Sequence, residues 1–465
     1  MQSTPDDIVG RGIRRRSFLG AAGVSVLAAA AGGTIGAGGG STPAGAAEPP
    51  AAGDLPLVGG TEFPIGLFWP PPPYETTQAR YQEIADAGFT FVISGNYLLD
   101  PYINNYAMKW CDLTGLKYLV ADDPNLSVLH TFKITEQGTG TLEMTEAEAQ
   151  KVIGSMIASF TAHPSFAGIS FWDEPNASEL PNVADSFNLF RAARPDLLPY
   201  TNLERGISEN PTQLANFVQQ VQPSLISFDH YPLFVDSTDQ TWFQDWADVR
   251  AAGLASGLPT WTYILSVQHL NYRSPTTADM LWQVNVSLAY GCKGIQYFTY
   301  WTPEAARGQG FSAGAGALIA MDGTRTERYD GAQWINTQWL SRVGKQLKPL
   351  VSESIGLANP AVTPPAGLPA FQGDTIVQST SGNPVIVSRF SNRADTAHQW
   401  VFVANYSLDT KAAAAITFGA AVRANGIARF DPVTEKYRSA GARGRRVTVA
   451  LEPGAAALFQ VETTA

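Results

Sequence analysis

The feature that most constrains the fold of this chain is an eightfold alternation of short apolar runs with amphipathic stretches. The apolar runs span residues 63–69, 89–94, 116–121, 166–172, 198–203, 225–229, 259–265 and 294–300. The amphipathic stretches span 76–87, 105–114, 145–162, 183–193, 211–221, 241–255, 276–290 and 333–350. Continuous apolar runs are typical of parallel strands buried on both faces. Eight such units over roughly 290 residues predict an α/β fold, a (β/α)₈ TIM barrel.

A doubly wound open sheet is the alternative. It is disfavoured because no apolar run is followed by a G-x-G-x-x-G or Walker-type loop. We therefore assign residues 61–352 to the barrel.

The sequence pattern changes after Ser352, where several prolines interrupt the chain. Short β-branched or aromatic segments then follow one another, separated by Gly, Asn and Asp, with no helical stretch between them. They lie at 374–379, 384–390, 399–404, 415–418, 426–430, 446–451 and 457–461. This pattern predicts a small antiparallel β-sandwich over residues 353–465. Structural support is its expected role, because Trp400 and a few tyrosines are the only rings available for stacking on sugars.

Residues 1–46 have the features of an export signal. Arginines 14–16 precede Phe18 and Leu19, an apolar run follows at 21–31, and residues 44–46 offer a small-residue cleavage site. Adjacent arginines followed by Phe-Leu resemble a twin-arginine (Tat) signal. The apolar run is too short and too rich in glycine to span a membrane comfortably. We expect a protein exported to the cell envelope or medium, a flexible linker at 47–60, and no membrane association after signal cleavage.

Composition disfavours several partners. The chain carries 41 acidic and 31 basic residues, a net charge of −10. Such a balance offers no electrostatic surface for nucleic acid or anionic membrane. The five histidines and two cysteines show no metal-ligand spacing, and no D-x-D-x-D-G loop is present. We therefore expect neither a transition metal nor an organic cofactor.

Two strand ends carry adjacent polar residues where a barrel of this kind places its active site. The fourth run ends in Trp172-Asp173-Glu174, and the sixth ends in Asp229-His230-Tyr231. A Trp beside a carboxyl lowers the local dielectric and favours the protonated acid, which suits Glu174 as a general acid. Asp229 is the expected second carboxylate. Because the two strands are not neighbours, these groups can face each other across the barrel mouth.

Other polar and aromatic residues near the strand ends are candidates for substrate binding. The sequence contains 11 Trp, 16 Tyr and 23 Phe, and rings at a barrel mouth suit stacking on sugars. His230 is expected to hydrogen-bond rather than to ligate metal, Trp261 is equally consistent with core packing, and Glu204 and Glu304 are reserve carboxyls. The expected substrate-binding residues are Asp173, Trp172, Asn202, His230, Tyr231, Trp69, Tyr300, Trp301 and Gln268.

The chain resembles a retaining-type glycoside hydrolase of the large (β/α)₈ clan A, with a C-terminal β-domain. The resemblance rests on the segments at 170–175, 199–203, 227–232 and 288–298. It implies that Glu174 is the acid/base residue at the end of the fourth strand. The clan's nucleophile is a second Glu at the end of the seventh strand, whereas this sequence offers only Gln268 there.

Two functions remain open on the sequence alone. Glycosidic hydrolysis needs two carboxyls, one of them protonated beside the leaving oxygen. A non-catalytic carbohydrate-binding protein on a degenerate hydrolase barrel is the alternative, motivated by the missing seventh-strand Glu. The distinction depends on whether a second carboxyl reaches the cleft that holds Glu174.

Overall fold

Eight parallel strands close around a common axis in the computed structural model, which describes residues 55–95, 100–307, 310–311 and 316–464. The barrel strands are β1 (Ile65–Phe68), β2 (Phe91–Ile93), β3 (Lys117–Val120), β6 (Phe166–Asp173), β7 (Leu198–Asn202), β8 (Ile226–Asp229), β9 (Thr260–Leu265) and β10 (Gly294–Phe298). Two further short strands, β4 (Lys133–Thr135) and β5 (Glu143–Thr145), pair with each other outside the barrel. The eight-stranded barrel prediction is confirmed.

The barrel strands follow the order β7-β6-β3-β2-β1-β10-β9-β8. The two end strands of this order meet through the residue that follows β7. The Leu203 amide donates to the Ser227 carbonyl (2.8 Å), and the Asp229 amide donates to the Leu203 carbonyl (3.3 Å). Because of these bonds, β6, β7 and β8 are consecutive strands of the barrel at its C-terminal mouth.

Helices connect the strands close to the predicted positions. They are α1 (Gln78–Asp86), α2 (Pro101–Thr114), α3 (Pro124–Thr131), α4 (Glu146–Phe160), α5 (Leu180–Ala193), α6 (Arg205–Ser208), α7 (Pro211–Val221), α8 (Trp242–Ser256), α9 (Thr277–Ala289), α10 (Glu327–Trp334) and α11 (Ser341–Leu347). Helix α2 begins earlier than expected because Asp100 caps it and Pro101 suits its first position. A π-helical segment, Ile335–Leu340, joins α10 to α11 within the predicted closing helix.

Aromatic rings fill the barrel interior beneath the mouth. The rings of Phe91 and Trp261 lie 5.5 Å apart, and two glycines make room for them. A Cβ on Gly66 would come within 2.2 Å of the Phe91 ring, and one on Gly294 within 2.6 Å of the Trp261 indole. Trp261 is therefore a core residue, and its ring helps to fill the barrel interior.

The C-terminal part is a β-sandwich, as predicted. Its strands are β11 (Val351–Ala358), β12 (Val377–Gly382), β13 (Val385–Asn392), β14 (Asp395–Asn405), β15 (Ala412–Phe418), β16 (Val422–Asp431), β17 (Lys436–Ser439), β18 (Arg446–Leu451) and β19 (Ala456–Thr463). One sheet has the order β11-β13-β14-β19-β16-β17 and the other β12-β15-β18. Apolar side chains from both sheets form one buried cluster between them.

The sandwich packs against α9 of the barrel through buried polar bonds. The Asn285 side-chain amide donates to the Gly454 carbonyl (2.8 Å), and the Trp282 indole donates to the Tyr406 carbonyl (3.0 Å). Strand β11 already begins at Val351, inside the expected barrel range, because it pairs with β13. These contacts are consistent with structural support.

The N-terminal export segment, 1–46, and the linker up to residue 54 lie outside the described residues. From Leu55 onward the predicted flexible linker is wrong, because Leu55, Leu57 and Val58 are buried in the main apolar cluster. Their packing ties this segment to the barrel. Within the described ranges, no helix combines the length and apolar character needed to cross a membrane.

Candidate active site

Polar side chains from four adjacent strands meet at the C-terminal mouth. Across β6 and β7, Asp173 lies opposite Asn202, and across β8 and β9, Asp229 lies opposite Tyr263. Neighbouring strands are about 4.8 Å apart, so the backbones of β6 and β8 are separated by about 10 Å. The expectation that the two acidic strand ends face each other across the mouth is therefore wrong. They lie one strand apart, on the same side.

Glu174 follows β6 in a strained backbone conformation. Its φ of 53° is left-handed, and the register of β6 against β7 shifts between Ser170 and Trp172. Its amide donates to the Asn202 carbonyl (2.9 Å), and the residue is only 7% exposed. Trp69, which follows β1, is also left-handed, with a φ of 66°. Strain of this kind persists where surrounding structure enforces it and is concentrated at functional sites.

Asn202 connects the two candidate catalytic residues. Its backbone carbonyl accepts from Glu174, while its Nδ2 donates to Asp229 Oδ1 at 2.7 Å. The Ser227 hydroxyl donates to Asn202 Oδ1 (2.8 Å), which fixes the orientation of the amide. Asn202 was expected to bind substrate, and the structure gives it a positioning role toward Asp229.

The ring of Tyr272 packs beside Tyr231 at the mouth, with ring centroids 5.7 Å apart. Burial raises the pKa of Tyr272 to about 12, and the nearby charges of Asp229 and Glu174 contribute to that rise. The charge of Asp239 contributes to the same rise. Asp229, like Glu174, is 7% exposed.

A wall of stacked, buried aromatic rings is formed at the mouth by residues at the ends of β1, β8 and β10. Phe298 stacks on Tyr231 (centroids 5.5 Å apart) and on Phe68 (6.0 Å), and the His269 imidazole lies 5.2 Å from the Phe298 ring. Tyr231 was expected at the mouth, and the structure places it in this wall. Phe298 and His269 also follow strand ends in the sequence, but they were not among the expected binding residues.

A cavity of about 40 Å³ opens beside the acids. Its polar lining comes from Asp122, His130 and Asp173, and its aromatic lining includes Trp69 and Tyr263. Asp122 comes two residues after β3, and His130 lies in the last turn of α3. Both were missed, although the same inspection of strand ends applied to the third apolar run would have found Asp122.

His230, Tyr300 and Trp301 were expected to bind substrate, but they lie outside the cavity lining, and those predictions are wrong. His230 is buried with both ring nitrogens occupied, Nδ1 by Asp245 (2.7 Å) and Nε2 by Asp239 (3.0 Å). Burial by itself would lower the pKa of His230, but these two carboxylates raise it. Tyr300 is fully buried against Phe89.

Trp301 lies under the Arg80 guanidinium, 5.1 Å from its ring centroid, on the helical side of the barrel. Trp172 packs its ring against His130 (4.4 Å), behind the cavity, so it supports that histidine rather than offering an open stacking surface. Gln268 is half-buried in the loop after β9, Glu204 precedes α6, and Glu304 is exposed. Asp229 is linked through Asn202 to the Glu174 backbone, which supports Asp229 as the second carboxylate.

Among the described residues, no group of three or more His, Cys, Asp or Glu side chains is arranged to hold a metal ion. At the mouth, the Glu174 backbone and the Asp229 carboxylate are instead linked through Asn202. Two carboxyls in a partly closed, aromatic-walled mouth can perform acid–base chemistry on a neutral substrate.

Comparison with known proteins identifies the fold. Neither a protein-family model nor a curated protein matches the chain. Among solved structures, a glycoside hydrolase family 5 protein from Bacteroides vulgatus is similar, with 12% identity, a TM-score of 0.52, and coverage of 86% of this chain and 89% of that one. A second structure, described as a glycoside hydrolase, has 11% identity, a TM-score of 0.51, and coverage of 86% and 93%. At this identity the similarity shows that the chain has a fold found in glycoside hydrolases.

Proposed function

We propose that this protein is an exported glycosidase that hydrolyses O-glycosidic bonds, with Glu174 as the proton donor and Asp229 as the second carboxylate. The observation that carries the proposal is the link through Asn202, which contacts the Glu174 backbone and the Asp229 carboxylate. The fold shared with glycoside hydrolases supports a carbohydrate substrate. The twin-arginine-like segment at 14–19 supports export.

The two carboxyls are equally buried, so burial does not separate their roles. Glu174 follows β6, the fourth barrel strand, where the resemblance to clan A implies the acid/base residue that donates a proton to the leaving oxygen. Asp229 accepts a hydrogen bond from the Asn202 side-chain amide, which holds its carboxylate in a fixed orientation. Asp229 would then attack the anomeric carbon or activate a water molecule there.

A carbohydrate-binding protein without catalysis is the second candidate. It is favoured by the lack of a Glu at the end of β9, the seventh barrel strand, where the resemblance to clan A implies one and where this chain offers Gln268 in the following loop. The rings of Trp69 and Tyr263, which line the cavity, would serve such a protein equally well, since rings pack on sugars whether or not a bond is cleaved.

The test is a screen of the purified mature protein against aryl glycosides and polysaccharides for released sugar. On a susceptible substrate, Glu174→Gln and Asp229→Asn are each expected to lower kcat at least 100-fold, a typical effect of removing an acid–base group. Glu304→Gln is the matched control, because Glu304 is exposed, and its turnover is expected within twofold of the parent.

Wild-type turnover in both Glu174→Gln and Asp229→Asn would reject the catalytic assignment. Saturable glycan binding by the parent protein without turnover on any substrate would establish the second candidate instead. The configuration of the first product, followed by NMR, then separates retention from inversion.

A further inference from the structure

The cavity beside the acids is lined by two chemically distinct sets of residues. Asp122 and Asp173 contribute carboxylates, and His130 contributes an imidazole. The rings of Trp69 and Tyr263 belong to the aromatic set. A carboxylate accepts hydrogen bonds from hydroxyls, while ring faces accept the C–H surface of a sugar.

The polar lining is held rigidly by the fold. The Ser94 hydroxyl accepts from the amide of Asp122 (3.2 Å), and the Asn104 side chain donates to the Asp122 carbonyl (2.5 Å). His130 is anchored by donating from Nε2 to the Phe171 carbonyl at 2.5 Å. These bonds involve backbone groups of Asp122 and Phe171. They fix the backbone that carries the Asp122 side chain.

The cavity volume limits what can enter. A water needs roughly 10–15 Å³ of such space, so a cavity of about 40 Å³ admits a group of two or three non-hydrogen atoms rather than a whole sugar ring. Among the groups that hexose-type sugars carry outside the ring, a hydroxymethyl and a carboxylate both fit by size.

Charge then decides between those two groups. The described lining residues include Asp122 and Asp173 but no Lys or Arg. A carboxylate entering here would lose water and meet two acidic side chains. The His130 imidazole, the one basic group among the described lining residues, already donates from Nε2 to the Phe171 carbonyl. A hydroxymethyl group would donate its O–H to a carboxylate and lay its methylene against the rings.

We propose that this cavity recognises the exocyclic hydroxymethyl group of a neutral hexose, and that Asp122 is the specificity residue that excludes uronic acids. The inference rests on the proposed function, because it assumes that the mouth takes a sugar. It adds the class of sugar: hexosides are accepted, whereas uronides and pentosides are discriminated against.

The experiment measures binding and turnover separately. Binding of glucose, glucuronate and xylose, and of galactose, galacturonate and L-arabinose, is followed by ligand-observed NMR; each series differs only at the group on C5. Turnover is measured on the matching nitrophenyl glycosides. In at least one series the hexose is expected to bind at least tenfold tighter than the uronate and several-fold tighter than the pentose.

Two variants and one control test the residues. Asp122→Asn is expected to reduce the hexose-to-uronate ratio at least fivefold, because it removes one of the two lining charges. Ala121→Val fills the cavity without changing charge and is expected to remove the preference for hexose over pentose. Asp236→Asn, in the exposed loop after β8, removes the same charge outside the cavity and is expected to leave both ratios unchanged.

Equal or tighter binding of the uronate, failure of all six sugars to bind, or an unchanged ratio in folded Asp122→Asn would overturn the inference. Its failure is distinguishable from failure of the proposed function. Tighter binding of the hexose than of the uronate and pentose, without turnover of any substrate, would support the cavity assignment and reject catalysis. Glu174-dependent turnover of uronides and hexosides alike keeps the catalysis and rejects the cavity assignment.

Discussion

Asn202→Asp tests the arrangement of the mouth carboxylates directly, because it replaces a donor with an acceptor at one buried contact. Asn202 Nδ2 lies 2.7 Å from Asp229 Oδ1. In the variant a carboxylate oxygen takes that place. With charge centres about 4 Å apart, the two carboxylates repel by about 4 kcal/mol at an effective dielectric constant of 20.

The pair relieves this repulsion by retaining a proton, so the pKa of one member rises in the folded state. A group whose folded pKa is raised binds more protons folded than unfolded, and stability then falls as pH increases. Near pH 4 the shared proton restores a hydrogen bond and the variant is expected to be close to the parent. At about 1.4 kcal/mol per pH unit, the full cost of about 4 kcal/mol appears by about pH 7.

The assay is urea unfolding of both proteins at intervals from pH 4 to pH 8, with Asn425→Asp as control. Asn425 is exposed in β16, so the same added charge there is expected to change stability by less than about 0.5 kcal/mol. On a susceptible glycoside, turnover by Asn202→Asp is expected to fall most at low pH, where the shared proton neutralises Asp229. Unfolding free energies that parallel the parent across the whole range would refute the Asn202–Asp229 contact.

Two further predictions concern the framework. Gly294→Ala places a Cβ within 2.6 Å of the Trp261 indole and is expected to cost about 1–3 kcal/mol in thermal unfolding, whereas Gly154→Ala, with open space around it in α4, is expected to stabilise by up to about 1 kcal/mol. Because the pKa of His230 is raised, its stabilising effect is present below about pH 6.5 and is lost as pH rises through the folded-state pKa. Asp239→Asn removes one of the carboxylates responsible, so its unfolding free energy is expected to decline less than the parent's above that pH; an equal decline would contradict this.

The architecture was predictable because it is encoded in local patterns. Continuous apolar runs indicated buried parallel strands, and Gly/Asn/Asp turns without helices indicated the sandwich. The capping box of α4, in which Thr145 and Glu148 exchange bonds, is present as the sequence predicted. Where the prediction of the linker went wrong, the cause was non-local, since Leu55 and Val58 find their apolar partners in distant parts of the barrel.

The site was only partly predictable. The strand-end rule located Glu174, Asp229 and Asn202 because parallel strands must end at the same rim. It could not assign side-chain direction beyond the strands, so Tyr300 and Trp301 were expected at the mouth although they pack toward the helices.

The sequence by itself determined the barrel, the sandwich and the rim on which the acids lie, because hydrophobic periodicity and turn chemistry act between near neighbours. Only the tertiary structure decided how the acids are used. The irregular register of β6 and the left-handed Glu174 place Asp173 at the cavity, while the Glu174 amide bonds to the Asn202 carbonyl. Asp122 joins Asp173 from another strand. Such convergence depends on backbone irregularities and on contacts between residues far apart in the chain, which simple strand alternation does not encode.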